Sequence, residues 1–275
     1  MGMFSTVLQK TTISPGSTHS HAVISVALGA LSVFAVCQVL AQSSTDAATP
    51  PQTGAFSASA TSAEAVGPES SAAFASIVPV DEAIEWQIVV PENYDPQHPP
   101  GLLVYISPSD HGSLPRRWRN LPQLHNVIWV AANDSGNRRQ VARRIAYALF
   151  AVGLVSRRYT IDSRRIYLSG FSGGARVAGL VAAAYPQIFK GDIYIGGAEI
   201  WDREPVLERM KRNRYVFAVG EDDSNRNRVL RVAALYADAG IENIEKMIIP
   251  RHGHELPAMK DMSKALNYLD AVPQQ

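Results

Sequence analysis

From residue 84 onward, short apolar runs alternate with longer segments in which apolar residues recur at helical spacing. Residues 102–106 and 127–131 are continuously apolar, as expected for strands buried on both faces. Strands that alternate with helices predict an α/β fold, a mostly parallel central sheet flanked by helices on both faces. We predict strands at 84–90, 102–106, 127–131, 166–168, 193–195, 215–219 and 246–249, and helices at 138–155, 206–211, 225–239 and 258–269.

The first part of the chain lacks this alternation. An apolar run at 22–36 has the length of a secretory h-region, and Ala41 ends a small-residue cleavage pattern. We therefore predict a signal peptide over 1–41, with an uncleaved N-terminal anchor formed by 22–36 as the alternative. Residues 42–77 are mostly Ala, Ser, Thr, Pro and Gly. Such a segment buries little, which predicts a disordered linker before a folded domain at 78–275.

Charge and cysteine content restrict the partners and the compartment. The single cysteine, Cys37, lies just past the apolar run, so the mature domain is expected to contain no disulfide. Together with the signal this predicts an exported bacterial protein, periplasmic or secreted. The 26 basic and 25 acidic residues are interspersed, without aromatic residues between the arginine pairs. We predict no nucleic-acid partner, and a membrane partner only if 22–36 remains as an anchor.

The segment Gly170-Phe171-Ser172-Gly173-Gly174 carries the strongest chemical signal. It matches the pattern G-x-S-x-G, and it stands between a predicted strand and a helix of small residues, the context in which this pattern forms a nucleophile elbow. Such a tight turn exposes the serine hydroxyl, and its neighbours must lack side chains that would collide. We predict that Ser172 is a nucleophile. A glycine turn without a catalytic role is the alternative.

A serine hydroxyl reacts only when a base accepts its proton. Two histidines follow Ser172, and both lie in the loop after the last predicted strand: His252 and His254. We favour His254, because the adjacent Gly253 lets the loop turn the imidazole inward. His252 is then a neighbour of the site or a solvent-facing residue. The alternative is that both histidines are ordinary loop residues.

The base in turn needs an acid that orients it. The acid is expected after the strand at 215–219, where Glu221, Asp222 and Asp223 follow one another. Asp223 is the first choice, because a helix begins shortly after it. Asp222 is the alternative, and the remaining acids are expected to be solvated or to cap the helix.

Developing charge on a carbonyl oxygen needs preorganised donors. The backbone N–H of Gly173, directly after the nucleophile, is one candidate. The second is expected in the loop after Ile106, where Pro108 has no N–H. Ser107 or Ser109 must then donate, and we choose Ser109. An ordinary polar turn is the alternative for this loop.

Four segments carry a likeness to a known family: Val90-Pro91-Glu92-Asn93-Tyr94-Asp95, which leads into the strand at 102–106, Gly170-Phe171-Ser172-Gly173-Gly174, Gly220-Glu221-Asp222-Asp223-Ser224-Asn225 and Gly253-His254-Glu255-Leu256-Pro257. In these segments the chain resembles the α/β-hydrolase superfamily, in particular its esterase branch with polyhydroxybutyrate depolymerases and feruloyl or acetylxylan esterases. The resemblance covers residues 84–270, and the family pattern implies Ser172 as nucleophile, Asp223 as acid and His254 as base. The segment 196–211 is short, which implies no large lid.

The chain departs from these relatives in two ways. Ser107-Pro108 stands where they usually carry His-Gly, and the chain lacks the disulfides and the substrate-binding module of many secreted members. A small ester is therefore expected as substrate in preference to a polyester. The open cleft is expected to be lined by Phe171, Trp201 and Tyr194, with Trp201 equally assigned to packing.

The resulting hypothesis is a serine esterase that uses neither a cofactor nor a metal. A peptidase or amidase on the same fold is the first alternative, because a triad alone does not distinguish the two reactions. A non-catalytic exported binding protein is the second alternative, motivated by the altered loop at Ser107-Pro108.

Overall fold

The structure is a computed structural model that describes residues 51–200 and 204–271. The predicted signal or anchor at 1–41, the beginning of the predicted linker and Trp201 lie outside these ranges. Within them, no helix combines the length and the apolar character needed to cross a membrane.

Eight strands form one central sheet. The strands are β1 (Gly54–Ala60), β2 (Ile84–Val90), β3 (Gly101–Ile106), β4 (Val127–Ala132), β5 (Ile166–Phe171), β6 (Gly191–Ile195), β7 (Arg214–Gly220) and β8 (Ile244–Ile249). Their order in the sheet is β1-β2-β4-β3-β5-β6-β7-β8. β2 is antiparallel to both of its neighbours, and all other pairs are parallel. The predicted mostly parallel sheet is confirmed.

Helices cover both faces of the sheet. They are α1 (Ser62–Val66), α2 (Pro68–Ala72), α3 (Leu121–His125), α4 (Val141–Ser156), α5 (Gly173–Ala184), α6 (Glu204–Met210), α7 (Arg226–Asp238) and α8 (Met259–Asp270). The larger hydrophobic core lies between the sheet and α4, α5 and α7. A smaller core lies on the opposite face, against α3 and α8. β3 and β4 are buried along their whole length, as their continuous apolar runs predict.

The parallel strands bring distant parts of the chain to one edge of the sheet. β5 is paired with β3 on one side and with β6 on the other, and β6, β7 and β8 follow in parallel register. Their carboxyl ends, at Phe171, Ile195, Gly220 and Ile249, therefore lie along the same edge. Ligands of open α/β sheets bind at this edge.

The prediction of a disordered linker is wrong for residues 54–77, so the folded domain begins before residue 78. β1 pairs with β2 over its full length, from Gly54 opposite Val90 to Ala60 opposite Ile84. Phe74 is buried and lies edge-to-face against Phe150, with ring centroids 5.2 Å apart. The prediction failed because small residues bury little area individually, whereas here β1 is ordered by its backbone ladder to β2 and Phe74 packs into the core.

Candidate active site

Ser172 lies in the turn between β5 and α5, in a strained conformation. Its φ is 54° and its ψ is −118°, a region that residues other than glycine rarely adopt. The turn is held because the Ser172 amide donates a hydrogen bond to the carbonyl oxygen of Ile195, at 2.8 Å. It is also tightly packed, since a Cβ atom at Gly174 would collide with the carbonyl oxygen of Ile106. This is the backbone geometry that the G-x-S-x-G pattern predicts.

Two hydrogen bonds connect Ser172 to an imidazole and a carboxylate. Nε2 of His254 lies 2.9 Å from Oγ of Ser172, and Nδ1 of His254 lies 2.9 Å from Oδ2 of Asp223. The three side chains follow β5, β8 and β7, whose carboxyl ends share one edge of the sheet. The arrangement can move a proton from the hydroxyl to the imidazole while the carboxylate orients the ring.

Asp223 is almost completely buried, with its side chain 1% exposed. Both carboxylate oxygens nevertheless have partners: Oδ2 contacts His254, and Oδ1 accepts from the backbone amide of Asn225 at 2.7 Å. Burying a carboxylate is tolerable only when hydrogen bonds replace its water. Asn225 also donates from Nδ2 to the carbonyl oxygen of Gly196 at 3.1 Å, which ties the loop after β7 to the loop after β6.

The other candidates lie away from Ser172. Glu221 and Asp222 are exposed at the surface. The ring of His252 contacts the backbone oxygen of Glu255 at 3.2 Å, within its own loop. The structure thus brings together the acid and the histidine that were first choices in the sequence. Their chemical roles stay a prediction.

Gly196 forms part of the site, and sequence reasoning missed it. Its φ is 57°. A Cβ atom there would lie 3.1 Å from Oδ2 of Asp223 and 3.2 Å from Cε1 of His254, closer than side chains normally pack. Only glycine combines this backbone conformation with the space that the two side chains need. The available signal was the pair Gly196-Gly197 directly after a predicted strand.

The predicted oxyanion donors differ in their surroundings. Gly173 is the first residue of α5, so no carbonyl of its own helix can accept from its amide. The amide of Ser109 instead donates to Oγ of Ser107 at 3.1 Å, inside the loop after β3. The buried Arg144 holds this loop in place, because its Nη2 donates to the carbonyl oxygen of Ser107 at 2.9 Å. The roles of Gly173 and Ser109 stay predictions.

Known proteins resemble this chain in structure but not in sequence. No protein-family profile and no curated protein sequence matches it. A ferulic acid esterase is 10% identical with a TM-score of 0.58, and the match covers 79% of this chain and 98% of that one. An S-formylglutathione hydrolase from Staphylococcus aureus is also 10% identical, with a TM-score of 0.57 and coverage of 80% and 95%.

A third similar structure belongs to a longer protein. It is a putative dipeptidyl aminopeptidase IV from Bacteroides ovatus, 14% identical with a TM-score of 0.56. The match covers 79% of this chain but only 36% of the peptidase, so the chain spans about a third of that protein's length. The sheet order and these likenesses decide the fold. The chain has the α/β-hydrolase fold.

The aromatic residues predicted to line the cleft have different positions. Phe171 stacks on the ring of His254, with centroids 4.8 Å apart and planes inclined by 28°. Trp201 lies outside the described residues. The prediction for Tyr194 is wrong: its ring is buried in the core, and its hydroxyl lies 3.2 Å from that of Tyr236. Side chains alternate along a strand, and Tyr194 is on the face covered by α7.

Metal binding depends on clustered ligand side chains. In the described part of the hydrolase fold, no group of three or more His, Cys, Asp or Glu side chains could hold a metal ion. The prediction that the reaction needs neither metal nor cofactor stays a prediction.

Proposed function

We propose that this chain is a serine hydrolase that cleaves carboxylic esters through an acyl-enzyme on Ser172. The observation that carries the proposal is the continuous pair of 2.9 Å contacts from Ser172 to His254 and from His254 to Asp223. The strained backbone of Ser172 supports it as well, because strain at an exposed hydroxyl is typical of catalytic turns.

Acylation begins when Oγ of Ser172 attacks the ester carbonyl carbon. Nε2 of His254 accepts the hydroxyl proton, and the carbonyl π pair moves onto oxygen to form a tetrahedral oxyanion near the amide of Gly173. Asp223 accepts a hydrogen bond from Nδ1–H and stabilises the imidazolium. The intermediate then collapses, the bond to the alcohol oxygen breaks, and His254 returns its proton to the leaving alcohol.

Deacylation repeats the sequence with water as the nucleophile. His254 accepts a proton from the water as its oxygen attacks the acyl carbon, and a second oxyanion forms at the same position. When this intermediate collapses, the bond from the acyl carbon to Oγ of Ser172 breaks and the serine regains its proton from His254. The products are a carboxylic acid, an alcohol and the free enzyme.

A fluorophosphonate probe tests this proposal directly. We expect the wild-type protein to be labelled, and Ser172→Ala to lose both labelling and esterase activity, with kcat falling about 10⁶-fold. Ser224→Ala is the matched control, because Ser224 is an exposed serine at the same edge of the sheet. Labelling that persists in Ser172→Ala, or wild-type protein that is neither labelled nor active, contradicts the proposal.

The proposed substrate is a small ester in preference to a polyester. The loop at Ser107-Pro108 and the absence of any cysteine other than Cys37 separate this chain from typical secreted polymer-degrading relatives. The test compares p-nitrophenyl acetate, longer acyl esters, aryl esters and a polyhydroxybutyrate film. Release of soluble products from the film at rates comparable to small-ester hydrolysis would overturn this assignment.

A peptidase is the second candidate, favoured by the structural likeness to a protein named as a putative dipeptidyl aminopeptidase. An amide requires protonation of a poorer leaving group, which the same histidine can supply. Comparing kcat/KM for aminoacyl p-nitroanilides and p-nitrophenyl esters separates the two. A higher value for the anilides assigns the chain to peptidases.

Export is proposed from the apolar run at 22–36 and the small-residue pattern ending at Ala41. Expression of the full chain in a bacterium, followed by fractionation and N-terminal sequencing, tests it. Mature protein that starts at Gln42 supports a cleaved signal. Full-length protein in the membrane fraction supports the anchor, and full-length protein in the cytoplasm refutes export.

A further inference from the structure

An oxyanion is stabilised best by two donors, and the proposed hydrolase has one evident donor, the amide of Gly173. The loop after β3 does not readily provide the second. Pro108 has no N–H, and the amide of Ser109 already donates to Oγ of Ser107 at 3.1 Å. With Ser109 engaged, the amide of Ser107 is the one candidate left in this loop, and a side chain near Gly173 is a further candidate.

The side chain of Asn137 lies beside Gly173, in the loop between β4 and α4. A Cβ atom built on Gly173 would collide with Oδ1 of Asn137 and would lie 3.0 Å from its Nδ2. The carboxamide therefore touches the residue whose amide is the first donor, directly after the nucleophile.

The carboxamide of Asn137 is available to a ligand. The residue is exposed, and its side chain has no hydrogen-bond partner within 51–200 and 204–271. Rotation of the amide group by half a turn exchanges its oxygen and nitrogen, so either end can face a ligand. An uncommitted amide beside a reactive serine is suited to donate to a carbonyl oxygen.

The backbone around Asn137 is fixed with respect to the loop after β3. The amide of Asn137 donates to the carbonyl oxygen of Pro108 at 2.9 Å. On the preceding residue, the amide of Gly136 donates to Oδ1 of Asp110 at 3.0 Å, and the amide of Asp134 donates to the backbone oxygen of Asp110 at 2.9 Å. Three hydrogen bonds thus join the two loops, so the backbone that carries the carboxamide is positioned before a substrate arrives.

We propose that the Nδ2–H of Asn137 is the second donor to the oxyanion, together with the backbone amide of Gly173. This inference rests on the proposed esterase function. Asn137 forms and breaks no covalent bond. It stabilises charge that develops on the carbonyl oxygen, so it contributes to the rate more than to substrate binding.

The test uses the full chain with Asn137→Ala and Asn137→Asp. The aspartate keeps the size of the side chain and its contact with Gly173 but removes the donor. We expect kcat for p-nitrophenyl acetate to fall about 10²-fold to 10³-fold in both variants, with KM changed less than about threefold. Fluorophosphonate labelling is expected to slow similarly, because the phosphonyl oxygen needs the same donors.

Controls separate this inference from the proposed function. Asn267→Ala removes an exposed asparagine near the end of α8, where Asp270 pairs with Arg165 at the opposite edge of the sheet, and is expected to behave as the wild type. Thermal unfolding of all variants checks that Asn137 does not act through folding. An active wild type, an inactive Ser172→Ala and Asn137 variants with kcat within about threefold of the wild type would refute the role of Asn137 alone. A wild type without hydrolase activity would refute both proposals.

Discussion

Two buried aspartates of this chain, Asp223 and Asp192, have opposite surroundings. Asp223 lies at the carboxyl edge of the sheet, and each of its carboxylate oxygens has a hydrogen-bond partner. Asp192 lies inside β6 with no exposed surface, and neither of its oxygens has a partner among the residues that the structure describes. The surroundings of Asp223 thus provide hydrogen bonds for a carboxylate, whereas those of Asp192 provide none among the described residues.

The difference shows in the chemistry that each environment favours. Burial raises the pKa of Asp192 well above its usual range, so the neutral acid is favoured. The neighbouring core is made of tyrosines, including Tyr194 and Tyr215, whose own pKa values are raised by the same burial. Asp223 instead contacts His254, which can become positively charged during the proposed reaction. A buried carboxylate serves catalysis here only where partners are built around it.

A third aspartate, Asp270 at the end of α8, represents an intermediate case. Its carboxylate accepts two hydrogen bonds from Arg165, at 2.7 and 2.9 Å, and one from the hydroxyl of Tyr167, at 2.6 Å. It is fully partnered, as Asp223 is, but the partners are a permanently charged guanidinium and a phenol. Such a group stabilises the fold and has no proton to transfer.

Of the three aspartate substitutions, the one at Asp223 should have the largest effect. Asp223→Asn keeps the shape but no longer stabilises the protonated ring or its correct tautomer, so we expect kcat for ester hydrolysis to fall about 10⁴-fold. Steady-state kinetics with p-nitrophenyl acetate measure this. Asp222→Asn, an exposed neighbour, is the control and should retain wild-type activity. Equal losses in the two variants would contradict the assignment of Asp223.

Asp192→Asn should change stability and leave kcat unaltered. Above about pH 4, the unfolded chain has released the Asp192 proton, because an unperturbed aspartate has a pKa of about 4. The folded wild type still holds this proton. Wild-type stability therefore falls relative to the variant as pH rises, by about 1.4 kcal/mol per pH unit, until the raised folded pKa is reached. Urea unfolding between pH 4 and 8 measures this. Parallel stability curves for the two proteins would show that Asp192 is ionised when folded.

Asp270→Asn should have the smallest effect. It leaves Arg165 without its bidentate partner, but both side chains are about one quarter exposed, and solvent screening reduces the loss. We expect the free energy of unfolding to decrease by about 1 kcal/mol, without a change in kcat. Glu208→Gln, which breaks an ion pair with a more exposed acid, is the matched control and should cost less. A loss that is equal in both variants would show that burial does not strengthen the Arg165 pair.

Much of the fold followed from local pattern. The apolar runs predicted seven strands close to their observed bounds, because a strand buried in a parallel sheet has to be apolar on both faces. β1 was missed, because its small residues resemble a flexible segment. Its order comes from pairing with β2, which lies more than twenty residues further along the chain.

The sequence by itself determined which strands precede the candidate site residues, and it determined the strained turn at Ser172, because periodicity and glycine placement act locally. Only the tertiary structure decided which of three consecutive acids meets His254, since that choice depends on loops after two different strands. It also decided that Tyr194 faces the core and that the carboxamide of Asn137 rests on Gly173. Contacts of this kind join residues that are far apart in the chain, and local patterns do not encode them. Ser172 and His254, for example, are separated by 82 residues.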